Sequence, residues 1–493
     1  PAPRPGARIV LLLALLVLLA PVRARAAPPG WVTYPGDPLA VHERRIDGGL
    51  TVLVSVDPQL PRVFGAVVVR AGGRHDPPDA TGAAHLLEHM LFKGTDALGV
   101  LDPVAERPHL DRIEALYEEL RAATGDDARA AILAAIDREA QAAARYAVPG
   151  ELDRLLQDLG AVAVNAFTTP DITVYHSEFP ARGLDRWLAV HAERFRAPVL
   201  RIFPSELESV YEEKNRAMDG LDPIADAFLA RFFPGHPYGQ QSVLGSVEHL
   251  RSPSLRALRD FHRRHYVAGN MALILVGDLD LEPLGPLLDR LFSTWPQGHP
   301  DPAPLEPPAP LRGRQAAAVR VTPVRALGLG FHLPPPGHPD HPAVMVASEL
   351  LSNPQGAGLV DRLGPEGAVL YAQSVPIPLD ERGVGLVAAV PRLLTQSFAG
   401  AERRLLAAID RLRRGDFTDE HLAAARLALI ARERLRWETL EGRALALAEA
   451  FVRGQPWPAA LAAAARLAAV DRAAVVAAAR RYYGDDYLAL RSR

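Results

Sequence analysis

The spacing of apolar and polar positions divides the chain into alternating strands and helices. Residues 50–54 and 63–71 are rich in Val and bounded by Gly and Pro, which predicts two β-strands, the second broken by Gly72-Gly73. After a loop over 74–82, apolar Leu86, Leu87, Met90 and Leu91 flank polar His85, Glu88 and His89, predicting a largely buried helix. The texture then changes over 97–150. Leu110, Ile113, Leu116, Tyr117 and Leu120 recur at helical spacing, Thr124-Gly125-Asp126-Asp127 marks a turn, and 128–146 is Ala-rich. We read this stretch as an inserted helical hairpin with a structural or partner-facing role.

Two strands over 161–168 and 173–179 follow, joined around Thr169-Pro170-Asp171, and then helices over 183–196 and 205–218. The second of these helices carries Glu206, Glu208, Glu212 and Glu213. Residues 235–239 read as a turn, 254–265 as a helix and 271–276 as a buried strand. Proline crowds 295–312, which makes 296–312 a linker between a first domain over 27–295 and a second over 313–493. The second half starts over in kind: strands around 317–322 and 327–332, a loop over 334–342, a helix over 343–351. That order repeats the one before the His-bearing helix, yet Val344 to Glu349 holds no His pair, so the copy cannot bind the same metal. From Thr418, a plausible N-cap, the chain is predicted to be predominantly helical.

Composition narrows the chemistry. A length of 493 residues with 48% hydrophobic content exceeds one ordinary domain. A net charge of −3 gives no footprint for nucleic acid. The chain has no cysteine, so disulfides, zinc-thiolate sites and a cysteine nucleophile are excluded, and any metal must be held by His and carboxylates. Arg4 and Arg8 precede an apolar run over 9–20, and Ala24-Arg25-Ala26 offers a small-x-small cleavage site. Residues 1–26 therefore read as a secretory signal peptide, with the remainder exported, periplasmic or secreted, and without a stable membrane anchor.

The stretch that carries chemistry is His85-Leu86-Leu87-Glu88-His89. Histidines four apart stack on one helical face, where both imidazoles can reach one divalent ion, and Glu88 points toward the same pocket. His-x-x-Glu-His is the inverted zinc-peptidase motif. Taken alone it is matched as readily by a surface helix rich in His and Glu; its burial tilts the balance, because buried imidazoles and carboxylates are costly unless paired or metal-bound. A catalytic zinc needs a third protein ligand, and His₂Glu is an established set. Glu206 and Glu213 share a face two turns apart while Glu212 points away. The bland alternative is a solvated acidic helix; with the first motif in place, Glu213 is the candidate ligand and Glu206 its support from behind. His75, His109, His262 and His265 are read as surface or structural residues.

Gly82-Ala83-Ala84-His85-Leu86-Leu87-Glu88-His89-Met90-Leu91-Phe92-Lys93-Gly94-Thr95, Asn165-Ala166-Phe167-Thr168, Glu206 with Glu213, His236-Pro237-Tyr238 with Gly245, and 266–270 leading into Val276-Gly277-Asp278 stand in a shared order. In these the chain resembles the insulinase or pitrilysin family of zinc metallopeptidases, in particular its short, mitochondrial-processing-peptidase-like members. The resemblance implies one Zn²⁺ per chain on His85, His89 and Glu213, with Glu88 as general base. It implies a substrate-binding edge strand at Asn165, Ala166 and Phe167, on which an extended peptide adds as a further strand. It also implies an α+β fold of two homologous domains, each a mixed sheet flanked by helices, together forming half of a clamshell.

His89 and Glu213 stand 124 residues apart, more than in most relatives, and the hairpin over 97–150 accounts for the excess. Active relatives add an Arg and a Tyr seven apart. Here Tyr371 matches the catalytic tyrosine, but Gly364 stands seven before it and Arg362 is out of register. The resemblance thus implies a homologous subunit supplying the Arg/Tyr pair, in a heterodimer or a homodimer. The expected activity is zinc-dependent endopeptidase; the competing reading is a non-catalytic peptide-binding or assembly subunit of such a heterodimer. Serine or aspartic hydrolysis finds no Gly-x-Ser-x-Gly and no Asp-Thr/Ser-Gly to rest on.

Overall fold

Strand residues alternate between two buried faces, and this sets the architecture of both halves of the chain. In the computed structural model, residues 28–300, 306–320 and 325–492 are described. The signal-peptide expectation over 1–26 and part of the linker over 296–312 lie outside them. The strands are β1 (Val32–Thr33), β2 (Val41–Arg45), β3 (Thr51–Val56), β4 (Arg62–Val69), β5 (Val162–Thr168), β6 (Thr173–Pro180) and β7 (Met271–Gly277) in the first half. The second half holds β8 (Arg314–Val319), β9 (Ala326–Leu333), β10 (Tyr371–Ile377), β11 (Gly383–Val390) and β12 (Tyr487–Ser492).

The first sheet has the order β1-β2-β3-β7-β4-β6-β5 and the second β10-β11-β9-β12-β8. Set β8 on β3, β12 on β7, β9 on β4, β11 on β6 and β10 on β5, and the two orders coincide. The directions agree as well: β3 runs parallel to β7 as β8 does to β12, and the remaining matched pairs are antiparallel. The chain is thus an α+β fold of two mixed sheets flanked by helices, and the repeated strand–loop–helix order is a topological duplication.

Along β4, Val63, Val67 and Val69 face the core that holds the His-bearing helix, whereas Phe64, Ala66 and Val68 face the opposite side. Burial on both faces explains why the β7 segment reads as an unbroken apolar run. The rear face is covered by Leu440–Val452, a helix from the second half, through Leu440, Ala444, Leu447, Ala448 and Phe451. The exchange is reciprocal. The first-half helix Asp222–Phe232 lays Phe228 and Phe232, with Phe233, against the rear of the second sheet beside Leu488 and Leu490. Gly330 of β9 makes room for it, since a Cβ there would stand 2.4 Å from the Phe228 ring. Each large side chain so buried contributes roughly 1.5–3 kcal/mol, so the two halves interlock through their cores.

The hairpin over 97–150 forms as helices Pro103–Ala122 and Asp126–Ala143. Its ends meet: Val100 bridges Ala147, and Leu101 N donates to Tyr146 O at 2.7 Å. Among the described residues, no helix is long and apolar enough to cross a membrane.

Candidate metal centre

The helix Ala83–Met90 starts where a side-chain cap is lacking: its N-cap is Gly82, left-handed at φ 88°. The cap comes from the loop before it. Asp76 accepts from Gly82 N at 2.7 Å and from Ala84 N at 2.8 Å, which satisfies two of the helix's orphaned amides, while burial pushes its carboxyl up to about 8. Gly82 also packs against Gly245, where a Cβ would meet the Gly245 Cα at 2.9 Å. Leu86, Leu87, Met90 and Leu91 enter the front core of the first sheet, leaving His85, Glu88 and His89 on the facing side.

Glu213, on the helix Phe203–Met218, comes opposite both imidazoles. Its Oε2 stands 3.6 Å from His85 Nε2 and 3.7 Å from His89 Nε2. These distances exceed hydrogen-bond length and are close to the ~3.4 Å that separates ligand atoms around a tetrahedral zinc with bonds of about 2.1 Å. One ligand atom from each of the three residues lies within 4.8 Å of the others. Two imidazoles and a carboxylate, without thiolate, suit a zinc that keeps one coordination position open. Burial, then the neighbouring His89, push His85 down to about 4, so it is neutral and free to donate a lone pair. His85 Nδ1 is buried without a hydrogen-bond partner among the described residues.

Glu206 stands behind the set. Its Oε2 lies 3.6 Å from His89 Nδ1, and its Oε1 lies 2.7 Å from Lys93 Nζ. Burial works to raise the Glu206 carboxyl, but the nearby His89 ring and the Lys93 ammonium outweigh it and hold the group below its usual value. Glu212 pairs instead with Arg216 on the outside of the helix. Glu88 is buried, and Thr168 Oγ1 donates to its Oε2 at 2.5 Å. Burial, the largest influence, pushes the Glu88 carboxyl up, while the Thr168 bond and His89 draw it back.

These groups line a cavity of about 540 Å³. Its far wall is β5, the outer strand of the sheet, which brings Asn165, Ala166, Phe167 and Thr168 to the cavity. A register shift between Val162 and Asn165, with Ala163 at φ 50°, bends the strand just before that wall. Tyr371 is not brought to this group. It opens β10, the outer strand of the second sheet, is 55% exposed, and donates to Gln373 Oε1 at 2.8 Å. The corresponding helix of the second half, His341–Leu351, has Ser348 and Glu349 in its buried interior, the latter paired with Arg432. His265 is buried, His75 and His262 are half-buried, and His109 pairs with Glu139; none of the four lines the cavity.

Two working parts escaped the sequence reading: Thr168 on Glu88 and Asp76 as helix cap. Thr168 had a signal, since it continues the Asn165-Ala166-Phe167 strand. Asp76 has none, because it lies six residues before the N-cap it serves.

Two family models match the chain, "Insulinase (Peptidase family M16)" over residues 51–100 and "Peptidase M16 inactive domain" over 254–429. The first match stops where the inserted hairpin begins. Among curated proteins, the chain is 28% identical over 414 residues to "Coenzyme PQQ synthesis protein F" of Pseudomonas aeruginosa, covering 82% of this chain and 46% of that protein. It is 27% identical over 344 residues to an uncharacterized zinc protease of Mycobacterium bovis (67% of this chain, 65% of the relative). With "Zinc protease PqqE" of Helicobacter pylori it shares 24% over 371 residues, covering 72% of this chain and 70% of the other. The chain thus spans 46% and 65% of the length of the first two relatives. A crystal structure of a protease from Helicobacter pylori superposes with a TM-score of 0.74 at 20% identity, covering 92% of this chain and 98% of that one. The periplasmic protease PqqL from Escherichia coli gives 0.69 at 15% identity, over 94% of this chain and 48% of that one. The shared fold is that of half a clamshell.

Proposed function

Because the chain belongs to the M16 (insulinase/pitrilysin-like) peptidase family, we propose that it is a zinc-dependent endopeptidase acting on peptides or unfolded polypeptides. One observation carries the reading: His85, His89 and Glu213 converge on a point in the cavity wall, and Glu88 stands one turn from His85 with its carboxylate buried. A bound zinc would supply a water of pKa near 7 and polarise a peptide carbonyl. Glu88 accepts the water proton and returns it to the leaving amine. Thr168 Oγ1 holds Glu88 Oε2, which leaves Oε1 for the proton. The raised carboxyl of Glu88 suits that exchange, since a base of higher pKa takes the proton more readily. Glu206 faces His89 Nδ1 at 3.6 Å, placed to orient that ring once a metal draws the set together. The free edge of β5 offers unpaired backbone groups to an extended substrate lying beside the metal.

A second homologous chain is part of this reading. With Tyr371 on the other sheet's outer strand and Gly364 seven before it, an Arg/Tyr pair reaches this metal from a partner. We further propose that residues 1–26 act as a signal peptide and that the chain is exported. The test is cleavage of β-casein by the chain alone and with a co-encoded homologue, with chelator and after zinc is restored. Chelator should abolish cleavage and zinc restore it, while His85→Ala loses both metal and activity. Cleavage that survives chelation would contradict the assignment, and full activity of the single chain would remove the partner from it.

A further inference from the structure

The loop that leads into the metal helix and the hairpin that carries the substrate-side strand are fastened at one point, and the second half of the chain closes that point. The main chains meet first. Gly73 N donates to Thr169 O and Arg74 N to Pro170 O, both at 3.0 Å, so the loop lies directly on the β5–β6 turn. Gly72 is required there, because a Cβ would stand 2.1 Å from Thr169 O.

Asp171, in that turn, is the centre of the knot. Its Oδ1 accepts from Tyr238 Oη at 2.6 Å and stands 2.9 Å from Arg74 Nε; its Oδ2 accepts from Asp380 N at 3.3 Å. Arg74 Nη1 reaches Glu381 Oε1 at 2.7 Å, and Glu381 N donates to Tyr238 Oη at 3.2 Å. Asp380 and Glu381 lie in the β10–β11 turn of the second half. Asp171 and Tyr238 are buried and Arg74 nearly so, a setting in which charge-assisted bonds hold geometry well. Two residues beyond Arg74, Asp76 caps the metal helix, and three residues before Asp171, Thr168 holds Glu88. The knot therefore connects rigidly to both sides of the candidate site.

We propose that Asp171, Arg74 and Glu381 are positioning residues, through which the second half of the chain fixes the metal helix against the substrate-side strand. The helix is thereby held for zinc, and Glu88 is held against the strand; this second part rests on the peptidase reading. A chain in which the turn 380–381 lets go keeps its fold, because the cores interlock through Phe228, Phe232 and Phe451 independently of the knot.

The test is zinc affinity of the full chain by competition with a chromophoric chelator, alongside thermal melting. Asp171→Asn should weaken zinc binding about tenfold. Glu381→Ala, at a side chain 39% exposed that tolerates truncation, should weaken it about threefold with an unchanged melting temperature. On β-casein both variants should lower kcat while KM holds. Wild-type zinc affinity in either folded variant overturns the proposal, as does a loss that simply follows a falling melting temperature. If Asp171→Asn does not fold, Glu381→Ala decides alone. Should the wild-type chain bind zinc and still leave casein uncleaved in the presence of its homologous partner, the peptidase reading fails and the affinity measurement still judges the knot.

Discussion

Glu106→Ala tests how the inserted hairpin is tied to the site. Arg201 and Glu106 form a buried pair, with side chains 2% and 1% exposed. Arg201 Nε and Nη2 donate to the two carboxylate oxygens at 2.7 and 2.8 Å. The remaining guanidinium hydrogens go to Lys93 O, Leu98 O and Thr95 O at 3.0, 3.2 and 3.1 Å. Those carbonyls belong to the loop that leaves the metal helix. Removing the carboxylate strands a cation in the interior, which costs about 3–5 kcal/mol. For a chain of this size, with its two halves unfolding together, that is a fall in melting temperature of roughly 3–5 °C. Arg201→Met should cost at least as much, because it isolates Glu106 and strips three buried carbonyls, each worth about 1–3 kcal/mol. Thermal melting followed by circular dichroism reads both. A Glu106→Ala chain melting within about 2 °C of wild type would refute the reasoning. The same pair explains why the hairpin, whose ends meet at Val100 and Ala147, should not be excisable without a second change at Arg201.

Gly82→Ala should destabilise by about 2 kcal/mol and weaken zinc binding, since it combines a left-handed backbone with a Cβ 2.9 Å from Gly245. Gly235→Ala, at φ 74° with open space around it, isolates the backbone contribution at about 1 kcal/mol, and equal melting losses in the two variants would contradict the close-approach account. Acid should unfold the chain through its buried histidines. Burial holds His75 and His191 down to about 3 and His262 and His265 to about 4, against 6.5 in the unfolded chain. Below that value the unfolded state takes up protons that the folded state refuses, so stability present above pH 6.5 is lost as pH falls toward 4. At pH 5 the loss is on the order of 2 kcal/mol for each histidine. Melting temperatures at pH 7 and pH 5 check the sign, and a chain no less stable at pH 5 would contradict it.

What could be read from the sequence was local. His85, Glu88 and His89 were legible because helix geometry alone puts them on one side, and Glu206 with Glu213 because two turns of helix return to the same face. The strands before the metal helix and the 161–179 hairpin were legible from Val-rich alternation and a Thr-Pro-Asp turn. The second sheet was read only in part. Tyr371–Ile377 forms an outer strand and Gly383–Val390 the strand beside it, yet the latter, a short apolar run rich in Gly and Ala, does not announce a strand. The C-terminal third is helical as expected, and Thr418 caps its helix by accepting from His421 N, but β12 closes the chain in the middle of the second sheet. Pairing with β8 and β9 decides that strand, and neither is near it in sequence. The exchanged helices, the Asp76 cap and the Asp171 knot share this character: each depends on a contact across more of the chain than any periodicity spans.

The central claim is that Glu88 moves the proton while His85, His89 and Glu213 hold the metal. Glu88→Gln is nearly isosteric, keeps an oxygen for Thr168 Oγ1 and leaves all three ligand residues in place. The decisive measurement is zinc content and β-casein cleavage on the same preparation of that variant, beside wild type under the conditions in which wild type cleaves. The account predicts one zinc per chain in both and turnover lowered at least a hundredfold in the variant, within the range for loss of a general base. Cleavage by Glu88→Gln at the wild-type rate would contradict it.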